Sequence, residues 1–460
     1  MSSPASVSKP SLTIAETRAR FETVAADVLA EAKRLGASQA EVNVNISQGL
    51  SVTVRLGEVE TLEHTRDKGL GVTVYFGQRS GAASTTDFSS AAVRDTVRAA
   101  CSIAKYTAED DCAGLADADR LAHDPPDLGL YHPWGLSAEA AITMARECEA
   151  AAMSFDGGES SSGRITNSEG GSVTTHEGYD LYANSHGFIG AVPVTRHSLS
   201  TSVIAQAGSG MQRDYWYDVA RDARMLDSAR AIGEQAARRT LRRLGARKLS
   251  TRHCPVVFEA PVASSLISHF VGAVRGTNLY REASFLLGAL GQQVFAPQVR
   301  IHEEPHLIGA LGSAAFDSEG VATSARELVH DGVLQGYVLD SYSARKLKLA
   351  TTGNAGGVHN LVVDPGPDDL VGLLRTMSTG LLVTELIGFG VNLVTGDYSR
   401  GAAGFWVEGG QIQYPVEEIT IAGNLRDMFR GVTQIGTDID TRGNIRCGSI
   451  LLERMTVAGS

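Results

Sequence analysis

The residues best suited to do chemistry stand together at His302-Glu303-Glu304-Pro305-His306, which reads as H-E-x-x-H. In that pattern two histidines one helical turn apart bind zinc, and the glutamate activates a water. The geometry needs an unbroken turn, so that both imidazoles point the same way. Pro305 stands inside the turn. Its missing N–H and its ring disfavour helix by ~3 kcal/mol, and it pushes Glu304 toward extended backbone. Only Arg300 and Ile301 lie close behind Pro297, Gln298 and Val299, so no helix is established upstream. The segment is expected to be an exposed loop, with a zinc site on His302 and His306 as the alternative.

Other candidates are thinner. Ser264 to Gly276 reads as an apolar helix whose single histidine, His269, is at best one ligand and is expected to bond locally while the helix packs on a sheet. No G-x-S-x-G elbow exists for a serine nucleophile. Gly353-Asn354-Ala355-Gly356-Gly357 is Gly-rich, but it lacks the Lys-Ser/Thr of a phosphate loop. The five cysteines, Cys101, Cys112, Cys148, Cys254 and Cys447, are odd in number and form no CxxC pair. A disulfide framework or structural zinc is not expected, and reduced thiols in a cytoplasm fit best. Cys447 reads as an inert thiol.

Elements must hold these residues in place. Ala15 to Leu35 has an amphipathic pattern that stops at Gly36, and Ser89 or Ser90 caps a second helix to Tyr106. Ser137 to Met153 is a third helix. Strands are predicted at 41–46, 51–59 and 70–76, with turns at 67–69 and 76–78. More run from Ile165 to Gln212, broken at Gly170-Gly171, Gly178 and Gly187. A long helix follows, Met225 to Leu244. The second half holds a strand at Cys254 to Glu259, the apolar helix from Val262 to Val274, then short strands, with a hairpin at Glu408-Gly409-Gly410-Gln411. The expected fold is α+β, in which a flexible tail (1–12) precedes a mixed helix and antiparallel-sheet domain (13–249). A mainly antiparallel β domain follows (250–460).

The net charge of −11 argues against broad nucleic-acid binding. Arg238 to Arg243 is the local exception and is expected to be a solvated helix face, not a nucleic-acid patch. Met1 to Leu12 has no apolar core, so no signal peptide is expected. The apolar run Leu381 to Val394 is too short to span a bilayer. A cytoplasmic protein without membrane attachment is the reading.

Four stretches carry a resemblance. They are Thr351 to Gly357 with His359-Asn360-Leu361, Gly390 to Trp406, Tyr414 to Leu425, and Asn444 to Ser449. In them the chain resembles the TldE (PmbA) branch of the TldD/TldE metallopeptidase family, densely over 250–460 and more loosely before that. The resemblance implies a heteromeric peptidase. Its TldD-type subunit carries H-E-x-x-x-H on a helix, with a later cysteine as a further zinc ligand. By the same resemblance, Ser268 and Ala273 stand where the two histidines would be and His269 where the glutamate would be. No catalytic residue, metal or cofactor is then expected in this chain, and zinc is expected in a TldD-like partner. The substrate implied is an unfolded peptide, held in a cleft or near a subunit contact for which Thr351, Thr352, Gly353 and Asn354 are candidates. Their alternative is a turn that needs positive φ at the glycine. Three rival functions remain open: an autonomous zinc peptidase using His302, Glu303 and His306, a non-enzymatic peptide-binding scaffold such as a homodimer, and nucleic-acid binding through the Arg238 to Arg243 helix.

Overall fold

Thr13 opens the first helix with a reciprocal cap: its hydroxyl accepts from the Glu16 N–H at 3.2 Å, and its own N–H donates to the Glu16 carboxylate at 2.8 Å. The helix, α1 (Ile14–Arg34), ends where Gly36 takes φ +88°. A computed structural model describes residues 13–157 and 163–459. The tail expected at 1–12 lies outside the described residues.

The chain continues as β1 (Gln39–Arg55), β2 (Glu58–Phe76), β3 (Arg79–Thr85), α2 (Ser90–Tyr106), α3 (Ala138–Met153), β4 (Arg164–Asn184), β5 (Ile189–Ala207), β6 (Gly210–Ala220) and α4 (Ala229–Leu241). The six strands form one sheet in the order β3-β2-β1-β4-β5-β6. These strands are longer than the sequence pattern suggests. The turn expected at 67–69 is absent, since β2 runs straight through it. The breaks expected at Gly170-Gly171 and Gly178 are likewise absent inside β4. The break expected at Gly187 is present, with φ +92°, and the chain also reverses at Leu56-Gly57, with φ +50° and +81°.

Contacts divide the chain into two units. The first draws on residues up to 48, 65–121 and 177–194. Its core joins Phe21, Val28, Val42, Val72, Val97 and Leu181 from both of its helices and its strand segments. The second unit takes 49–64, 122–176 and everything from 195 on. There α3 and α4 cover the strand segments around Val52, Val173 and Leu199.

Within the second unit follow β7 (Arg252–Phe258), α5 (Ala260–Val274), α6 (Gly276–Tyr280), β8 (Ile301–Glu303), β9 (Arg326–His330), β10 (Val333–Leu334), α7 (Ser341–Lys346), β11 (Leu361–Val363), α8 (Leu370–Met377), β12 (Gly380–Ile387), β13 (Asp397–Glu408), β14 (Gln411–Asn424), α9 (Leu425–Arg430), β15 (Val432–Ile435), β16 (Ile445–Arg446) and β17 (Ile450–Ala458). A six-stranded sheet runs β14-β13-β12-β7-β17-β15, and β14 also pairs β17, so five of its strands close on themselves. Period-2 alternation sets the layers. Val256 and Phe258 of β7 face α5, whereas Val257 faces α8. Strand exceeds helix, 39% against 26%, because antiparallel hairpins dominate, and the fold is α+β as the sequence indicates. The hairpin at Gly409-Gly410 has φ +57° and +74°, which suits paired glycines.

Close strand approach is testable at Gly404. A Cβ there would overlap the Leu382 carbonyl oxygen of the paired strand. Gly404→Ala is expected to cost about 1–3 kcal/mol through this overlap. The denaturant midpoint checks it, and an unmoved midpoint would mean that the strands part freely.

Candidate functional site

Helix α5 is the element that positions the site. Glu259 precedes it, bonded to Arg239 (3.0 Å) and Arg242 (3.1 Å), so a carboxylate sits at the positive end of the helix dipole. The Ala260 N–H donates to the Ser449 hydroxyl at 3.0 Å, and that hydroxyl donates to Asp438 at 2.6 Å. A Cβ at Gly448 would overlap the Gly436 carbonyl oxygen, so this support under the helix is tightly packed.

Two adjoining cavities of about 370 and 330 Å³ run beside the N-terminal half of α5, and Tyr217, Pro261, Asp440 and Arg442 line both. The first is also walled by Trp216, Arg239 and Glu259, and the second by Ser264, Ser265 and Ser268. Arg442 is held between two rings, 4.2 Å from Trp216 and 4.4 Å from Tyr217, and pairs with Asp440 at 2.7 Å. Burial would raise the Asp440 carboxyl, but Arg442 holds it below the usual range. Ser264 and Ser265 turn their hydroxyls back onto the carbonyls of Pro261 and Val262. The exposed Ser268 completes a hydroxyl-lined helix face. The groove is thus polar and aromatic.

The residues singled out in the sequence separate here. Ser268 faces the groove. Its neighbour His269 is about 100° around the helix and packs edge to face on Tyr398, ring centroids 6.0 Å apart. Burial, and then Arg400, lower its pKa. Ala273 is fully buried in the core. Cys447 is also fully buried; burial, and then Asp438 and Asp440, push its thiol up. Among the described residues no three His, Cys, Asp or Glu side chains converge to hold a metal ion.

His302 to His306 contains no helix. Residues 301–303 are β8, paired with β9 and β11. The exposed loop expected there is corrected in part: Glu303 is 2% exposed, because it pairs with Arg326 at 2.7 Å. His302 lies 3.3 Å from Asp364, and His306 reaches Thr323 at 3.1 Å, so the two imidazoles serve different neighbours. Thr351 to Asn354 form an internally bonded turn with Gly353 at φ +69°. Thr352 bonds Asn354 at 2.7 Å, and none of the four lines the groove. The solvated face expected at Arg238 to Arg243 is also corrected. Arg239 and Arg243 are turned inward onto Asp214, and Arg243 also pairs with Glu385.

The sequence reading missed Trp216, Tyr217, Asp440 and Arg442. Trp216 and Tyr217 lie within the acidic-aromatic run Asp214 to Asp218, which was a usable signal.

Helix α5 thus lies on a closed sheet, whose β7–β12 pair is parallel, with a groove along its flank. Models of the PmbA/TldA metallopeptidase domain 1, central domain and C-terminal domain match residues 40–104, 131–244 and 251–459. The metalloprotease PmbA of Escherichia coli O157:H7 is 50% identical over 91% of this chain and 92% of its own length. Among solved structures, a Bacteroides thetaiotaomicron protein is 29% identical with a TM-score of 0.89, covering 95% of this chain and 99% of that one. TldE from Thermococcus kodakarensis, 19% identical, shares the fold with a TM-score of 0.80 over 95% and 100%. A TldD homolog of Haemophilus influenzae is 26% identical over 44% of this chain and 45% of its own. The chain belongs to the PmbA/TldD metallopeptidase family. No helix among the described residues is long and apolar enough to cross a membrane.

Proposed function

We propose that this chain is the metal-free subunit of a TldD/TldE-type peptidase that acts in the cytoplasm on small or unfolded peptides. Its groove holds the peptide while a TldD-like subunit supplies zinc. The observation that carries this is the state of α5. Where the family resemblance puts three catalytic side chains, this helix has Ser268, a His269 turned onto Tyr398, and a sealed Ala273. The groove beside Ser268 is nonetheless kept open. Attack on an amide at neutral pH needs a water whose pKa a metal has lowered toward ~7. Ser264 and Ser265, whose hydroxyls donate to helix carbonyls, do not provide that, so the chain alone binds without cleaving. The five free thiols suit a reducing compartment.

The test is zinc content and cleavage of an unfolded protein by this chain, by a TldD-type partner, and by their mixture. A chain that is zinc-poor and inactive alone, yet enhances cleavage by the partner, is expected. Stoichiometric zinc with activity in the chain alone, both lost in His302→Ala, would overturn the reading in favour of an autonomous peptidase.

A further inference from the structure

Three buried polar atoms lie together between α5 and β13, His269 Nε2, the Tyr398 hydroxyl and Arg400 Nε; none makes a well-aligned hydrogen bond among the described residues, although the Arg400 side chain reaches toward the Tyr398 hydroxyl. Tyr398 is 2% exposed, and burial pushes its pKa up to about 12, so it stays a protonated donor. Arg400 follows two residues later, on the same face of the strand. Its charge is felt by both neighbours, lowering the pKa of His269 and opposing the rise at Tyr398. No carboxylate among the described residues pairs with Arg400. The cluster therefore presents hydrogen-bond donors and one uncompensated positive charge. Buried polar atoms of this kind are normally satisfied, and the half-buried Arg400 guanidinium has no carboxylate beside it among the described residues. A carboxylate, with its several acceptor sites and one negative charge, is the matching ligand.

The adjoining surface says what delivers it. The β12–β13 loop lies against α5, with Leu393 next to Gly272. It holds Ile387, Phe389 and Val394 out in solvent, Phe389 at 98% exposure. Leu287 and Leu290 are exposed on the neighbouring segment, which is tied to the loop by Phe285 N–H to Leu393 carbonyl at 2.8 Å. The loop is not slack. Ser399 bonds back to Gly390 at 2.7 Å and Asn392 to Asp397 at 2.9 Å. A Cβ at Gly390 would overlap the Ser399 carbonyl oxygen. A pinned loop with an exposed aromatic loses little freedom on binding, and aromatics are the usual anchors of interfaces. A water or a free anion would satisfy the three polar atoms but would leave the apolar loop wet. A protein chain meets both needs.

We propose that His269, Tyr398 and Arg400 receive an Asp or Glu side chain of the TldD-type partner subunit, which seats on the loop from Ile387 to Val394 with Phe389 as anchor. This rests on the heteromeric reading above. The test titrates the full chain with that partner by calorimetry, as wild type, Arg400→Gln and Phe389→Ser. Each variant is expected to weaken binding by about tenfold or more, as loss of an anchor does. Neither should melt lower on its own, because Arg400→Gln removes an unpaired charge and Phe389→Ser an exposed ring. Wild-type binding that both variants preserve would overturn this inference and leave the heteromeric reading standing. A wild type that ignores the partner would remove both. Sodium acetate that raises the melting temperature of the chain alone, an effect lost in Arg400→Gln while partner binding is unchanged, would make this a small-anion site instead and overturn the docking role.

Discussion

Glu303→Ala is expected to destabilise the protein by about 3–5 kcal/mol, the cost of breaking a buried ion pair. Glu303 accepts from Arg326 Nε at 2.7 Å, from the Asn354 side chain at 2.9 Å and from the His359 N–H at 2.8 Å. Arg326 in turn donates to the Asn354 side-chain oxygen at 2.9 Å and the Tyr337 carbonyl at 2.9 Å. The carboxylate is thus the hub that fixes the turn at Gly353 to His359. Removing it strands a partly buried guanidinium and two donors, each of which loses its acceptor. Glu303→Gln keeps an acceptor oxygen but loses the charge, so it falls between wild type and alanine. Denaturant midpoints of the three proteins give the order. A loss under about 1 kcal/mol for alanine would place the pair among the weak surface bridges. Were Glu303 instead the base of a zinc peptidase, glutamine would abolish cleavage by this chain alone and leave the midpoint unmoved.

The same residue shows how the sequence speaks and where it stops. Pro305 correctly excluded a helix at 302–306, because a proline's geometry is a local property. That Glu303 is buried was illegible, because Arg326, Asn354 and His359 come from later in the chain. Helix starts at Thr13 and Ser89 and the end at Gly36 are local capping chemistry and could be read directly. Gly69, Gly170 and Gly171 were misread as breaks. At these positions the missing side chain admits a neighbour. A Cβ on Gly170 would press on Val54, and one on Gly171 would overlap the Ala145 carbonyl oxygen of α3. Glycine in a strand can mark close approach as well as a turn, and only the partner's position tells which. The groove was the least legible feature, since Tyr217, Ser268 and Arg442 meet only through the fold. Ser268 and Ala273 were placed by resemblance, and the structure puts one at the groove and the other in the core.

Arg239→Ala is expected to cost a similar 3–5 kcal/mol, because it leaves buried carboxylates short of a cation. Arg239 is 7% exposed and lies between Asp214, at 3.4 Å, and Glu259, at 3.0 Å, with its guanidinium 5.1 Å from the Trp216 ring. Arg242 and Arg243 each retain one contact to this pair of acids, so the network is weakened but not emptied. Arg238, one residue away, is exposed; its guanidinium donates to Gln235 and lies over the Phe155 ring at 5.4 Å. Arg238→Ala is therefore the control, with a change within about 0.5 kcal/mol, as for most surface substitutions. Unfolding midpoints compare the two, and equal losses would show that the buried pair does not set the effect. Arg239 also has a positional consequence. Through Glu259 it fixes the first turn of α5, and it walls the groove itself. Arg239→Ala should thus weaken binding of an unfolded peptide even at temperatures where the variant is fully folded, whereas Arg238→Ala should not. Fluorescence of Trp216, which borders the same groove, gives the titration. Peptide affinity that is equal in both variants would separate the groove from the ion network beneath it.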